Sequence, residues 1–245
     1  QFRKVFIAEK GSKLLSLDYS QIDLRIAAHI AGDKKMIEAF KKGVDIHTET
    51  AAEVFDVPLE KVTPEMRREA KALNFGIIYG MGAQGFARSA GIKQAEAKKF
   101  IEKYFEEFPK IAEHMERMRN EAHEKGIVTN LLGRRRQLIE INSSIPEMSR
   151  QAERMAINFP IQSMTSDITK MAMIKIHDYI QKNYKNEVKM LLQVHDEIVL
   201  ETKEEIAEKI ARELKKIMEG VYELDALLVA EARLGDNWHD LKIIN

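Results

Sequence analysis

The chain has 245 residues, and its 39 lysines and arginines balance its 39 aspartates and glutamates, leaving no formal net charge. That length fits one large domain or two intimate ones at roughly 100–200 residues per domain, and 44% apolar residues suffice for a sizeable core. With no cysteine there are no disulfides, thiolate metal sites or cysteine nucleophiles. No apolar run approaches the ~18 residues of a membrane span, and the N-terminal QFRKVFIAEK lacks a signal-peptide layout. The expectation is an intracellular protein with no membrane partner, an organelle remaining open. Neutrality argues against indiscriminate coating of nucleic acid but permits a local basic cleft.

In chain order, Lys4–Ala8 and Lys13–Leu17 are apolar runs around the turn Lys10-Gly11, which predicts a β-hairpin leading to Asp18. Ile22, Ile26 and Ile30 have the spacing of a helix. From Asp33 to about Gly126 the pattern is helical almost throughout. Met66–Tyr79, Gln94–Phe105 and Ile111–Lys125 are the clearest segments, with Gly126 placed as a C-cap. Ile127–Ile141 reads as a short hairpin carrying Arg134-Arg135-Arg136. A helix from Met148 is expected to break near Pro160 and to return over Thr165–Tyr179. Val188–Val194 and Ile198–Glu201 are strands around a polar tip, His195-Asp196-Glu197. Lys203–Glu219 is an amphipathic helix with Ile206, Ile210, Leu214 and Ile217 on one face, and Ala226–Ala232 is a last strand. Strands at both ends and helices between predict an α+β fold, a small antiparallel sheet interrupted by a long helical insertion.

Three places could carry chemistry. Asp18 ends an apolar strand, and Asp196 sits at a hairpin tip. Alone, the first reads as a solvated or capping acid and the second as a turn residue. Two acids on neighbouring strands of one sheet can point at a common spot and hold a divalent cation. A carboxylate pair without a His/Cys set favours Mg²⁺ and phosphoryl chemistry over zinc hydrolysis. The third place is a helix on which Arg67, Lys71, Phe75 and Tyr79 recur every four residues and share one broad face. Two cations suit a triphosphate and two rings suit a base or sugar; equally, the pattern describes a solvated basic end running into a buried aromatic end. Gly80-Met81-Gly82-Ala83-Gln84-Gly85 matches a dinucleotide fingerprint but follows a helix, not a strand, so it is set aside.

Asp18-Tyr19-Ser20-Gln21-Ile22-Asp23-Leu24-Arg25, Arg67 to Gly80, and Gln193-Val194-His195-Asp196-Glu197 together resemble, in order and spacing, the three signature motifs of family A DNA polymerases of the bacterial DNA polymerase I type. Weaker matches are Asp45-Ile46-His47, Leu132-Gly133-Arg134-Arg135, and Arg154 through Asn158 to Gln162. The resemblance implies a right-hand polymerase fold, with palm at 1–30 and 141–245 and fingers at 31–140. It implies that the thumb and exonuclease-like portion, which precede the palm in the family, lie outside this chain and act as its partner. It further implies template-directed DNA synthesis from primer–template DNA and deoxynucleoside triphosphates. Asp18, Asp196 and the Tyr19 carbonyl would then ligate two Mg²⁺ ions. Arg67, Lys71 and His47 would bind the triphosphate, with Lys71 also as proton donor to pyrophosphate. Phe75, Tyr79, Gln21 and Asp23 would lie about the sugar and base. Arg154, Asn158, Gln162, His195 and the basic Arg134 would touch DNA, and Glu197 would be a supporting acid. Two positions depart from the pattern. Asp23 stands where bacterial relatives carry a Glu that blocks a ribose 2′-hydroxyl and bonds the hydroxyl of the Tyr79 equivalent, and Ser163-Met164-Thr165-Ser166 replaces Gly and small residues after Gln162. A single-subunit RNA polymerase-like enzyme and a non-catalytic primer–template-binding fragment remain as alternatives.

Overall fold

The computed structural model of the chain describes residues 2–244. The elements are β1 (Ser12–Tyr19), α1 (Ile22–Ala31), α2 (Lys34–Lys41), α3 (Ile46–Phe55), α4 (Pro64–Ile78), α5 (Ala83–Ala90), α6 (Gln94–Glu107) and α7 (Pro109–Lys125). They continue with β2 (Ile127–Thr129), β3 (Arg135–Gln137), α8 (Pro146–Asn183), β4 (Val188–Val194), β5 (Glu197–Lys203), α9 (Ala207–Glu219), β6 (Ala230–Gly235) and β7 (Lys242–Ile244). The chain divides into two compact units, one of Gln1–Ile22 with Thr165–Asn245 and one of Asp23–Met164.

The first unit is built on an antiparallel sheet of five strands in the order β4-β5-β1-β6-β7. β1 is central, pairing with β5 on one side and β6 on the other. Alternation along β1 turns Leu15, Leu17 and Tyr19 to one face and Leu14, Ser16 and Asp18 to the other. On the first face all three are buried, and the Tyr19 hydroxyl donates to the Met218 carbonyl of α9 at 2.8 Å. On the second, Leu14 clusters with Val199 and Trp238 below the polar positions.

The expected hairpin over Lys4–Ala8 does not form. Phe2–Val5 is a 3₁₀ turn, and Ile7 makes one isolated bridge, to Asn237. The reason is topological: β5 and β6 already occupy both sides of β1. The N-terminal segment instead packs on Trp238, where Phe6 meets the indole edge-on at 5.5 Å. Two further expectations shift at the C-terminal end. Leu227 has φ +37°, a left-handed value that β-strand residues do not adopt, so the strand expected over Ala226–Ala232 starts at Ala230 and β7 follows it. The amphipathic helix starts at Ala207 after a 3₁₀ turn at Glu204–Ile206, and Met218 lies in its buried face beside a half-buried Ile217.

The second unit is helical, apart from the β2–β3 hairpin. Its helix starts follow local chemistry: Asp33 caps α2 through the Met36 N–H at 3.0 Å, and Thr63 precedes Pro64 at the first turn of α4. Gly126 ends α7 at φ +66°, the left-handed cap that the sequence called for.

Helix α8 corrects the expectation of a break at Pro160, because it runs unbroken through that residue. Proline removes the N–H that would pair with the Ala156 carbonyl, a cost of about 3 kcal/mol or more in a helix interior. Against this stands one buried stripe that passes straight through the proline, formed by Ala152, Ala156, Ile161, Ile168, Ala172 and Ile176. Burying each isoleucine contributes about 1.5–3 kcal/mol, so the stripe outweighs the missing bond.

Candidate active site

The carboxylates of the first unit meet at the end of β1. Asp18 is directly opposite Glu197 on β5 and Glu231 on β6, and directly opposed residues on antiparallel strands share a face. Asp196 belongs to the two-residue turn between β4 and β5, where His195 takes φ +55°. Burial pushes the Asp18 carboxyl up to about 6, the negative charges of Asp196, Glu197 and Glu231 add to the rise, and the Arg233 guanidinium opposes it. Arg233 is itself paired with Glu231. The result is a half-buried acid crowded by like charges.

Glu197 differs from its expected place at the hairpin tip. It is the first residue of β5, only 7% exposed, because three donors converge on it. Ser16 Oγ donates to Oε1 at 2.7 Å, Trp238 Nε1 to the same oxygen at 2.8 Å, and an Arg3 N–H to Oε2 at 3.0 Å. Arg3 also stacks over the Trp238 ring, 4.3 Å from its centroid. Buried carboxylates survive only when hydrogen-bonded in this way.

The donor set at Asp18 and Asp196 fits a hard divalent cation. Both side chains offer oxygen only, and the crowding of Asp18 is relieved by positive charge beside it. The Tyr19 side chain is committed to Met218, so a role for this residue falls on its main-chain carbonyl. Among the described residues, no three His, Cys, Asp or Glu side chains gather into a ready metal cluster. Mg²⁺ suits such a sparse set, since it keeps waters and substrate phosphates in its shell.

In the second unit, the face expected on α4 forms as read. Arg67 and Lys71 are exposed, and Phe75 and Tyr79 are half-buried with ring centroids 6.4 Å apart. Tyr79 is the C-cap of α4, and its hydroxyl donates to the Asp23 carboxylate at the start of α1. The aspartate therefore makes the tyrosine contact despite its shorter side chain. Arg67 Nε lies 2.5 Å from Asp45, which caps α3 by accepting from the His47 N–H and Thr48 Oγ1, each at 3.0 Å. Burial pushes the Asp45 carboxyl up, but these bonds with Arg67, Thr48 and the His47 amide outweigh it and hold it below the usual carboxylate range. His47 is 1% exposed, with its ring 5.7 Å from that of Phe75. Burial pushes the imidazole down to about 4, keeping it neutral near pH 7.

Arg154, Asn158 and Gln162 recur every four residues on α8 and share a face. Arg154 lies 3.7 Å from Glu147, and Asn158 Oδ1 is buried without a hydrogen-bond partner. Arg134 is exposed on the loop entering β3, whose Arg136 reaches Met155 Sδ of α8 at 3.4 Å. His195 is exposed at its turn in the other unit, and Gln21 is half-buried at φ +54°.

Comparison with known proteins gives this geometry its context. The model of DNA polymerase family A matches residues 1–240. The chain belongs to that family. It is 45% identical over 240 residues to DNA polymerase I of Pseudomonas aeruginosa, and 45% identical over 242 residues to the thermostable DNA polymerase I of Thermus aquaticus. Among solved structures it is similar to the POL domain of Pol1 from M. smegmatis in complex with DNA primer-template and dNTP, at 38% identity and a TM-score of 0.91. That alignment covers 96% of this chain and 42% of the other. The chain spans 26% and 29% of the lengths of the two curated relatives. The α+β sheet-and-helix architecture is therefore that of a family A polymerase domain.

Sequence reading passed over Ser16, Arg3, Trp238 and Asn74. Trp238 is the chain's one tryptophan, in a segment without apolar periodicity, and nothing local connects it to Glu197, 41 residues away. Trp238→Phe keeps a ring for Arg3 to stack on but removes the N–H. Hydrogen bonds to charged groups contribute about 1.5–3 kcal/mol, so the variant should lose that much stability in urea unfolding. An unchanged midpoint would show that the bond contributes nothing.

Proposed function

We propose that this chain carries out template-directed DNA synthesis, adding deoxynucleotides to a primer 3′-hydroxyl and releasing pyrophosphate. The observation that carries the reading is the half-buried Asp18 carboxyl, raised to about 6 by burial and by its acidic neighbours with Asp196 among them, in a chain whose α4 face presents cations followed by rings. In this reading 1–30 with 141–245 is the palm and 31–140 the fingers. Asp18, Asp196 and the Tyr19 carbonyl would hold two Mg²⁺ ions, which would supply charge stabilisation for the attacking and leaving oxygens.

The side chains do the rest. Lys71 and Arg67 offset the charge of the triphosphate, and Lys71 gives a proton to the departing pyrophosphate. His47 adds a neutral hydrogen bond. Phe75 packs on the sugar and base, Tyr79 sits beside the nascent pair, and Gln21 lies near the sugar. Arg154, Asn158, Gln162, His195 and Arg134 contact primer and template, chiefly at phosphates.

Primer extension with protein in excess over primer–template tests this. The unmutated chain should extend the primer, and Asp18→Ala or Asp196→Ala should abolish extension while leaving circular dichroism and thermal stability intact. More than trace activity in either variant, or none in the unmutated chain, overturns the reading.

Asp23 gives a finer test. Its carboxylate already reaches Tyr79, so the extra methylene of Asp23→Glu has to project into the space beside the sugar. One methylene in a pocket is worth about 1–3 kcal/mol of discrimination, so the variant should reject ribonucleotides about tenfold more strongly. The ratio of deoxy- to ribonucleotide incorporation efficiency decides it; an equal or lower ratio in the variant means that Asp23 does not set the gate.

A further inference from the structure

Behind the cationic face of α4 lies a buried polar cluster. Thr50, Asn74 and His47 are 1%, 0% and 1% exposed. At zero net exposure each hydrogen matters, because an unmatched buried donor or acceptor costs about 1–3 kcal/mol. The hydrogens can be followed outward from a fixed point. That point is the Ile46 carbonyl, a backbone oxygen that can only accept. Thr50 Oγ1 lies 2.7 Å from it, against 3.2 Å from Asn74 Oδ1, so the single hydroxyl proton goes to the backbone.

Thr50 Oγ1 is then an acceptor, and Asn74 Nδ2, at 3.0 Å, donates to it. The same Nδ2 lies 3.1 Å from His47 Nδ1 and supplies its second hydrogen there. Reversing the amide would bring Asn74 Oδ1 from 3.2 Å to 3.0 Å of the Thr50 oxygen, tightening a contact between two acceptors whose only proton is already used, and would move the donor out to 3.2 Å. His47 Nδ1 is therefore a lone pair, which puts the ring proton of the neutral imidazole on Nε2. Nε2 is buried and has no hydrogen-bond partner. It is a donor held without an acceptor.

We propose that Asn74 and Thr50 are positioning residues that lock His47 in the tautomer protonated at Nε2, the form that can donate to an oxygen of a triphosphate. The ligand half of this statement rests on the proposed function above, whereas the tautomer stands on the hydrogen-bond chain alone. The charged groups facing the ring are Asp45 from the start of α3 and Arg67 and Lys71 from α4. Burial lowers the imidazole's basicity most, the two cations lower it further and Asp45 opposes them, so the lock acts on a neutral ring. A neutral donor suits this place, where a bound nucleotide already meets two full charges.

The test is long-range proton–nitrogen correlation NMR on the 15N-labelled chain, with the His47 signals identified by their loss in His47→Gln. From about pH 5.5 to 8, His47 should show an unprotonated Nδ1 and a protonated Nε2. Asn74→Asp places an acceptor at Nδ1 and should move the proton there. Thr50→Val keeps the volume but releases the amide, and should give a mixture of tautomers. Calorimetry with tripolyphosphate should show the Asn74→Asp variant binding about tenfold more weakly than the unmutated chain near pH 8, and recovering as the imidazolium forms toward pH 6. A purely structural asparagine would give a deficit that does not change with pH. Nδ1 protonated in the unmutated chain, or a tautomer unmoved in both variants, overturns the lock. A tautomer as expected and moved by both variants, with Nε2 unresponsive to tripolyphosphate, upholds the lock and counts against the triphosphate reading instead.

Discussion

Asp18 is the last residue but one of the central strand of a sheet whose two neighbouring strands each place a glutamate beside it, with Asp196 at the adjacent turn adding a third negative charge. Burial above all, and this repulsion with it, disfavours ionisation of Asp18, so its carboxyl is raised to about 6. By linkage, the folded chain holds this proton more tightly than the unfolded chain does. The group's contribution to stability therefore declines as pH rises from about 4 to about 6 and stays at its low value above that. A fold that keeps such an arrangement at neutral pH does so at some cost in stability, which a cation bound beside Asp18 would offset. The surrounding structure makes the arrangement possible. Leu15, Leu17 and Tyr19 anchor the opposite face of β1, and Glu197 is fixed by Ser16, Trp238 and Arg3, so the sheet cannot relax by turning its acids away.

The helical unit meets a different constraint with the same tools. Its cations are exposed and its rings half-buried, while the groups behind them are fully sequestered and joined to the backbone by hydrogen bonds. Asp45 links the two layers. It caps α3 immediately before His47 and holds Arg67 from α4, so the local order of one helix start positions both a cation and an imidazole. Tyr79 and Asp23 do the same between the end of α4 and the start of α1.

Much of this was legible in the sequence where the signal is local. Helix periodicity, the αL glycine at 126, the strands flanking His195-Asp196 and the four-residue spacing from Arg67 to Tyr79 all depend on residues within a few turns of one another. The misreadings have non-local causes. Lys4–Ala8 has the composition of a strand, but the positions beside β1 are taken by segments some 180 and 215 residues further on. Pro160 is a local breaker overruled by the burial of apolar residues on either side of it along the helix. Glu197 looks like a turn acid because its three partners come from residues 3, 16 and 238. The hydrogen-bond direction through Thr50 and Asn74 has no sequence signature at all, since it follows from which of two oxygens is nearer.

The proposal of a cation at Asp18 can be tested directly. Carbon-13 NMR of the aspartate carboxyls, with Asp18 assigned by its loss in Asp18→Asn, follows this one group through a titration with and without Mg²⁺. Without the metal, the Asp18 carboxyl should titrate at about 6. With saturating Mg²⁺ it should fall to or below the ordinary carboxylate range, as a cation beside it favours the charged form. An Asp18 that titrates at its ordinary value without metal, or one that Mg²⁺ leaves unmoved, would contradict the view that this carboxylate cluster is built around a divalent ion.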